Sequence, residues 1–166
     1  MIKKIIFACC CFISVNSMAQ DYKTGLGIRF GGLNSGITVK HFISPTSAWE
    51  GILSFSHRTF VITGLYEKHF PIKNATGLTG FAGVGGHLGF FRYGGHYFVY
   101  KKRGNVYYTE DRNATTLIAG LDGILGLDYK IKGAPLNVAL DIKPFIDFAD
   151  SPYGYFDGAL SVRFTF

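Results

Sequence analysis

The sequence predicts an all-β chain, an eight-stranded antiparallel up-and-down transmembrane β-barrel preceded by a cleaved signal peptide. Three observations carry that prediction. The last twelve residues, 155–166, alternate without a break, with Phe156, Gly158, Leu160, Val162, Phe164 and Phe166 on one side and Tyr155, Asp157, Ala159, Ser161, Arg163 and Thr165 on the other. Successive side chains of a strand point to opposite faces, so this segment has one apolar and one polar face. Arg163 in the middle of the polar face suits a strand with lipid outside and a polar lumen inside. Second, apolar residues along the chain recur every two positions, not every three or four, and glycine interrupts nearly every segment, which argues against helices. Third, the chain is 48% hydrophobic and 16% aromatic with 22 glycines. Yet beyond residue 19 no stretch offers the ~18 uncharged apolar residues of a transmembrane helix.

Residues 1–19 read as a secretory signal peptide and 20–166 as the barrel domain. Lys3 and Lys4 form the charged start, residues 5–15 the apolar stretch, and Ser17-Met18-Ala19 a small-x-small cleavage site before Gln20. The apolar stretch is shorter than the roughly 20 residues of a permanent span. A lipoprotein reading would use Ile6-Phe7-Ala8-Cys9 as a lipidation box, but it leaves almost no apolar stretch ahead of Cys9. Cys9, Cys10 and Cys11 are the chain's three cysteines and all fall within this segment. The mature protein is therefore expected to have no disulfide, thiolate nucleophile or cysteine metal site. Loss of Lys3 and Lys4 lowers the formal net charge from +6 to +4. The remaining basic residues are scattered, and nucleic acid is not an expected partner.

The first strand is read over 23–31, with Leu26, Ile28 and Phe30 opposed by Gly25, Gly27 and Arg29. The second, 35–43, opposes Ile37, Val39 and His41 to Thr38, Lys40 and Phe42, and the third, 47–56, opposes Trp49, Leu53 and Phe55 to Glu50, Ser54 and Ser56. In the fourth, 59–69, Phe60, Ile62 and Tyr66 compete with Val61 and Leu65 for the outer face. The fifth, 77–91, sets Leu78, Ala82, Val84, Leu88 and Phe90 against Phe81, Gly83, Gly85, His87 and Gly89. The sixth, 115–130, sets Leu117, Ala119, Leu121, Leu125, Leu127 and Tyr129 against Gly120, Asp122, Gly126 and Asp128. The seventh, 135–147, sets Leu136, Val138, Leu140 and Ile142 against Asn137, Asp141 and Lys143, and the eighth is 155–166. An even strand number places both termini on the periplasmic side. Short turns near 44–46, 70–76 and 131–134 then face the periplasm, with Pro45, Pro71 and Pro135 at strand ends, where a missing amide is tolerated. The outer connections are 32–34, a tight turn near His57 and Arg58, the long 92–114 and 148–154.

The segments TGLGIRFGG from Thr24, LTGFAGVGGHLGFF from Leu78, PLNVALDIKP from Pro135 and ALSVRFTF from Ala159 resemble the small outer-membrane barrels related to OmpX, Ail and the OmpA membrane domain. The likeness is greatest to versions from Bacteroidetes-type bacteria. It spans nearly the whole mature chain but consists of fold-level patterns and marks no active site. It implies a bacterial outer-membrane location among outer-membrane lipid and lipopolysaccharide, reached through the barrel assembly machinery, as a monomer. Leu160, Val162, Phe164 and the terminal Phe166 look like the assembly signal of such barrels. With the sequence ending at Phe166, no appended peptidoglycan-binding domain is expected.

The expected inward charges are Arg29, Glu50, Glu67, Asp122, Asp128, Asp141, Lys143 and Arg163. An eight-stranded barrel is only wide enough for its own side chains, and unpaired buried charge is costly. These groups therefore read as a lumen network that plugs the barrel, with Asp141 and Asp122 as expected partners of Arg163; a gated ion path is the alternative. His41, His57, His69, His87 and His96 lack metal-binding spacing, and His87 is expected to fill the lumen beside an acid. The Gly83–Gly86 run fails as a dinucleotide fingerprint, since Leu88 takes the sixth position and no helix follows. No His-x-Ser element of the lipid A deacylases occurs, and Ser56 and His57 are adjacent and so point to opposite faces. No catalytic residue, cofactor or metal is expected. In the outer segment, Tyr97, Phe98, Tyr100, Tyr107 and Tyr108 flank Lys101-Lys102-Arg103-Gly104-Asn105, a strong turn sequence. The fifth and sixth strands are expected to continue there as a projecting hairpin. Its aromatic and basic residues suit contact with a protein, a glycan or lipopolysaccharide, or form an interfacial girdle and a solvated loop. The expected function is structural or adhesive at the envelope. A narrow pore, or a soluble secreted barrel holding an apolar ligand, are the alternatives.

Overall fold

The structure, a computed structural model, describes residues 22–56, 59–92, 98–102, 105–109, 115–148 and 153–166. The signal-peptide segment and the turn at His57 and Arg58 lie outside the described residues, as do His96, Tyr97 and Arg103. The strands are β1 (Thr24–Gly31), β2 (Ser35–Ser44), β3 (Ser47–Ser56), β4 (Thr59–Pro71), β5 (Leu78–Arg92), β6 (Phe98–Lys102), β7 (Asn105–Thr109), β8 (Thr115–Lys130), β9 (Leu136–Asp147) and β10 (Tyr153–Thr165). Eight of them close a barrel in the order β1-β10-β9-β8-β5-β4-β3-β2. The first and last strands seal it in antiparallel register, with Leu26 opposite Phe164 and Ile28 opposite Val162. In the outer excursion β6 and β7 pair as the expected hairpin, a two-stranded sheet whose register, Phe98 opposite Thr109, is that of β5 and β8, Arg92 opposite Thr115.

The period-two pattern sorts side chains as a lipid-facing barrel requires. Val84, Leu121, Leu140 and Phe156 are exposed on the outside, whereas Arg29, Lys40, Glu50, Glu67, Asp128 and Arg163 are buried inside. The ambiguous fourth strand resolves by register. Phe60, Ile62 and Tyr66 share the outer face with Lys68 and Phe70, while Leu65 turns inward between Thr63 and Glu67 and is fully buried. The reason is an apolar layer within the lumen, formed by Ile52, Leu65, Phe81, Ile124 and Ala139, that needs Leu65 to complete it. A second cluster of Tyr22, Phe42 and Ala48 fills the lumen at the short-turn end. Gly77 and Gly133, at φ +85° and +75°, make the turns of that end tight.

Pro144 lies inside β9 and supplies no amide. The β8–β9 ladder accordingly has pairs at Asp122–Phe145 and Leu125–Ile142 and none between them. Glycine makes room for the interior filling. A Cβ on Gly126 would lie 2.5 Å from Phe81 Cζ and 2.6 Å from Leu140 O. Gly126→Val is expected to displace Phe81 and destabilise the barrel by about 1–3 kcal/mol, the usual cost of overpacking. Urea titration of the refolded protein, followed by the loss of the folded band on unboiled gels, checks this.

Candidate functional site

The lumen charges form two layers. In the layer nearer the short-turn end, Lys40 of β2 stands directly opposite Glu50 of β3. Its Nζ lies 3.1 Å from Glu50 Oε2, 2.8 Å from Glu67 Oε2 and 3.5 Å from Asp128 Oδ2, and 4.0 Å above the Phe81 ring. Arg163 of β10 places Nη2 2.5 Å from Glu50 Oε1 and Nη1 3.8 Å from Asp128 Oδ2. The guanidinium also donates to Asn137 Oδ1 at 3.3 Å and to Thr38 Oγ1 at 3.4 Å. Thr38 in turn donates to Glu50, Asn137 donates to Asp128, and His69 Nε2 is 3.0 Å from Glu67 Oε2. The β1 partners of these two cations are glycines, Gly25 opposite Lys40 and Gly27 opposite Arg163. A strand without side chains at those positions leaves the lumen volume to the long cations.

In the outer layer Arg29 donates to Asp141 and places Nη2 3.9 Å from Asp157 Oδ2. Asp157 Oδ1 accepts the Leu33 amide at 2.9 Å and so ties the β1–β2 turn to β10. His87 of β5 bridges two acids, with Nδ1 2.7 Å from Asp122 Oδ2 and Nε2 2.9 Å from Asp147 Oδ1. A neutral imidazole has a single N–H, so against two ionised carboxylates both contacts are hydrogen bonds only in the doubly protonated ring. Lys143 donates to the other oxygen of Asp122. These links cross the stretch where Pro144 interrupts the β8–β9 ladder, and side chains there take over part of the missing backbone pairing.

A cavity of about 320 Å³ at the long-loop end is lined by Arg29, Ser54, Thr63, His87, Lys143 and Asp157 among others. Another of about 500 Å³ at the short-turn end is lined in part by Tyr22, Lys130, Lys132 and Thr165. The two linings share no residue. Between them lie Lys40, Glu50, Glu67, Asp128 and Arg163, each 0–1% exposed.

All eight lumen charges read from the sequence project inward, but Arg163 has other partners than expected. It pairs with Glu50 and Asp128, while Asp141 belongs to Arg29 and Asp122 to Lys143 and His87. Register explains the correction: Arg163 lies opposite Asn137, whereas Asp141 lies opposite Ala159, four residues farther toward the outer end. The sequence reading left Lys40 out of the charge set, though it assigned the residue to the inward face, and it also left out Asp157 and the lumen position of His69. Of the outer-segment residues, Tyr100, Lys101 and Lys102 fall on β6 and Tyr107 and Tyr108 on β7, with Tyr100 opposite Tyr107. Leu160, Val162, Phe164 and Phe166 are exposed along the outer face of the final strand.

A closed antiparallel barrel with an apolar outside and an ion-paired inside has the architecture of a transmembrane β-barrel. No family model and no curated protein matches the chain. Among solved structures, it is similar to the N-terminal β-barrel domain of OprF from Pseudomonas aeruginosa, with a TM-score of 0.63 and 12% identity over 86% of this chain and 95% of that one. It is also similar to Neisserial surface protein A, NspA, with a TM-score of 0.51 and 12% identity over 86% of this chain and 93% of that one. The shared feature is the fold of small eight-stranded outer-membrane barrels.

Removing one member of the inner layer strands its buried partners. Lys40→Met is expected to cost about 3–5 kcal/mol, because Glu50, Glu67 and Asp128 lose a shared cation. Adding Glu67→Gln to Lys40→Met should recover part of that loss. Urea unfolding of the single and double variants in the same lipid checks both expectations.

Proposed function

We propose that this chain is a monomeric integral protein of the bacterial outer membrane, of the OmpX, Ail and OmpA-membrane-domain kind and from a Bacteroidetes-type bacterium. It is made with a signal peptide over 1–19 and inserted by the barrel assembly machinery, which reads the alternating end at Leu160, Val162, Phe164 and Phe166. Its role is structural and interactive at the envelope, without enzymatic activity. The observation that carries the reading is the plug: fully buried, mutually paired charges lie between the two end cavities. Such an interior suits support of the membrane better than passage through it. The soluble-carrier alternative needs the reverse distribution, with charges outside and large apolar groups facing a ligand. On the extracellular side, the β6–β7 hairpin is the surface for contact with a protein, a glycan or lipopolysaccharide.

A narrow pore is the second reading, favoured by a cavity at each end of a polar lumen. Planar-bilayer recording separates the two. The plugged barrel is expected to be silent, and openings altered by Arg163→Ala would establish the pore. Fractionation with a heat-modifiability gel tests the location: the protein should enter the outer-membrane fraction and shift mobility on boiling. Deletion of residues 97–108 should then abolish surface binding while leaving the mobility shift intact; unchanged binding would remove the hairpin from the function.

A further inference from the structure

Among the described residues, the short-turn end is one-sided in charge. Residues 22–24, 44–47, 68–78, 129–136 and 164–166 contain Lys23, Lys68, Lys73, Lys130 and Lys132 and no acidic side chain. Four of these lysines are exposed, and Lys130 is half-buried, with its Nζ donating to Ala134 O at 2.6 Å. Lys68 differs from the rest because it lies on the outer, lipid-facing side of β4, in line with Ile62, Tyr66 and Phe70. Its Nζ donates to Ser47 Oγ at 2.6 Å and lies 5.9 Å from the Tyr66 ring centroid. Tyr66 meets Trp49 edge-on at 5.3 Å, and Trp49 is 54% exposed.

A lysine on the lipid face is costly at mid-bilayer and nearly free at the interface, where tyrosine and tryptophan also concentrate. Trp49, Tyr66 and Lys68 therefore mark the level of the headgroups, with the ammonium held by neutral groups beside two amphipathic rings. A zwitterionic headgroup offers such a site no net charge, whereas an anionic phosphodiester complements it, and the four other lysines raise the local positive potential. We propose that Ser47, Trp49, Tyr66 and Lys68 form a headgroup site selective for anionic phospholipid of the periplasmic leaflet, backed by the basic rim. The proposal rests on the transmembrane reading above.

Trp49 is the chain's single tryptophan, so its fluorescence reports the lipid at this site. The protein is refolded into phosphatidylcholine vesicles in which a rising fraction of lipid is either brominated phosphatidylglycerol or brominated phosphatidylcholine. One lysine at an interface is expected to give phosphatidylglycerol about a fivefold higher relative association constant. Lys68→Gln should bring the ratio to about one and Lys68→Arg should keep it, both with an unaltered heat-modifiability shift. Equal quenching by the two lipids in the native protein, or a preference that survives Lys68→Gln, overturns the site. A preference abolished by inorganic phosphate at matched ionic strength overturns the lipid assignment in favour of a free anion. Quenching by neither lipid instead refutes the transmembrane reading itself.

Discussion

The constraint on which this molecule depends is the narrowness of its own lumen. Eight strands close around a space that side chains alone fill, so every inward residue must fit its neighbours in volume and in charge. Lys40 shows how tight the condition is: one ammonium lies within 3.5 Å of three carboxylates and above an aromatic ring. That arrangement needs Gly25 and Gly27 bare on β1, Phe81 accommodated by Gly126, and Arg163 to complete the coordination of Glu50 and Asp128. Closure of the sheet and pairing of the interior charges are a single condition.

The charges do not hold the barrel together in the sense in which a core holds a soluble domain. Taking ions from water costs about as much as their pairing returns, so a buried network is weak evidence of net stability. Continuous backbone pairing does more, since a closed sheet leaves no edge to satisfy in lipid. What the network supplies is intolerance of alternatives: slipping one strand by one residue would turn Lys40, Glu50 or Arg163 into hydrocarbon and bring apolar groups inward. The ladder interruption at Pro144 makes the same point locally. There the contacts of Asp122 with Lys143 and His87 tie β5, β8 and β9 where backbone pairing lapses.

Much of the fold was legible because one rule, alternation at period two, governs every strand and has a single physical origin. The rule assigned inward and outward faces for Arg29, Thr38, Glu50, Asp141 and Arg163 directly. It failed at β4, where Leu65 and Val61 are as apolar as Ile62 and Tyr66, because the lumen holds an apolar layer that hydropathy does not distinguish from the lipid face. It also could not pair the charges. Parity says that Arg163 and Asp141 face the same lumen, but which acid meets which base depends on strand stagger around the closed sheet, a property of several strands together. Lys40 was legible as inward and still left out of the network, because its importance lies in its position among three strands and not in its own segment. The β6–β7 hairpin was legible from its turn sequence, and it pairs in the register of β5 and β8.

The same constraint bears on where function can reside. In the described interior, four cations, Arg29, Lys40, Lys143 and Arg163, and the His87 ring face seven carboxylates, Glu50, Glu67, Asp122, Asp128, Asp141, Asp147 and Asp157, and each carboxylate lies within 4 Å of one of these basic groups. A lumen whose charges are paired with one another has little chemistry left for a ligand, and the faces that remain available are the ends and the lipid-facing wall. These are unlike one another. The outer end carries a polar vestibule walled by Arg29, His87 and Asp157, while the short-turn end, among the described residues, has lysines and no acidic side chain. An acid in those short turns would neutralise the rim, and a lysine deeper on the wall than Lys68 would face hydrocarbon. Lys68 lies where both costs are least, beside Tyr66 on the outer face of β4, the other lysines of the rim lie in or next to the turns, and the two ends thereby differ while paired charges occupy the middle.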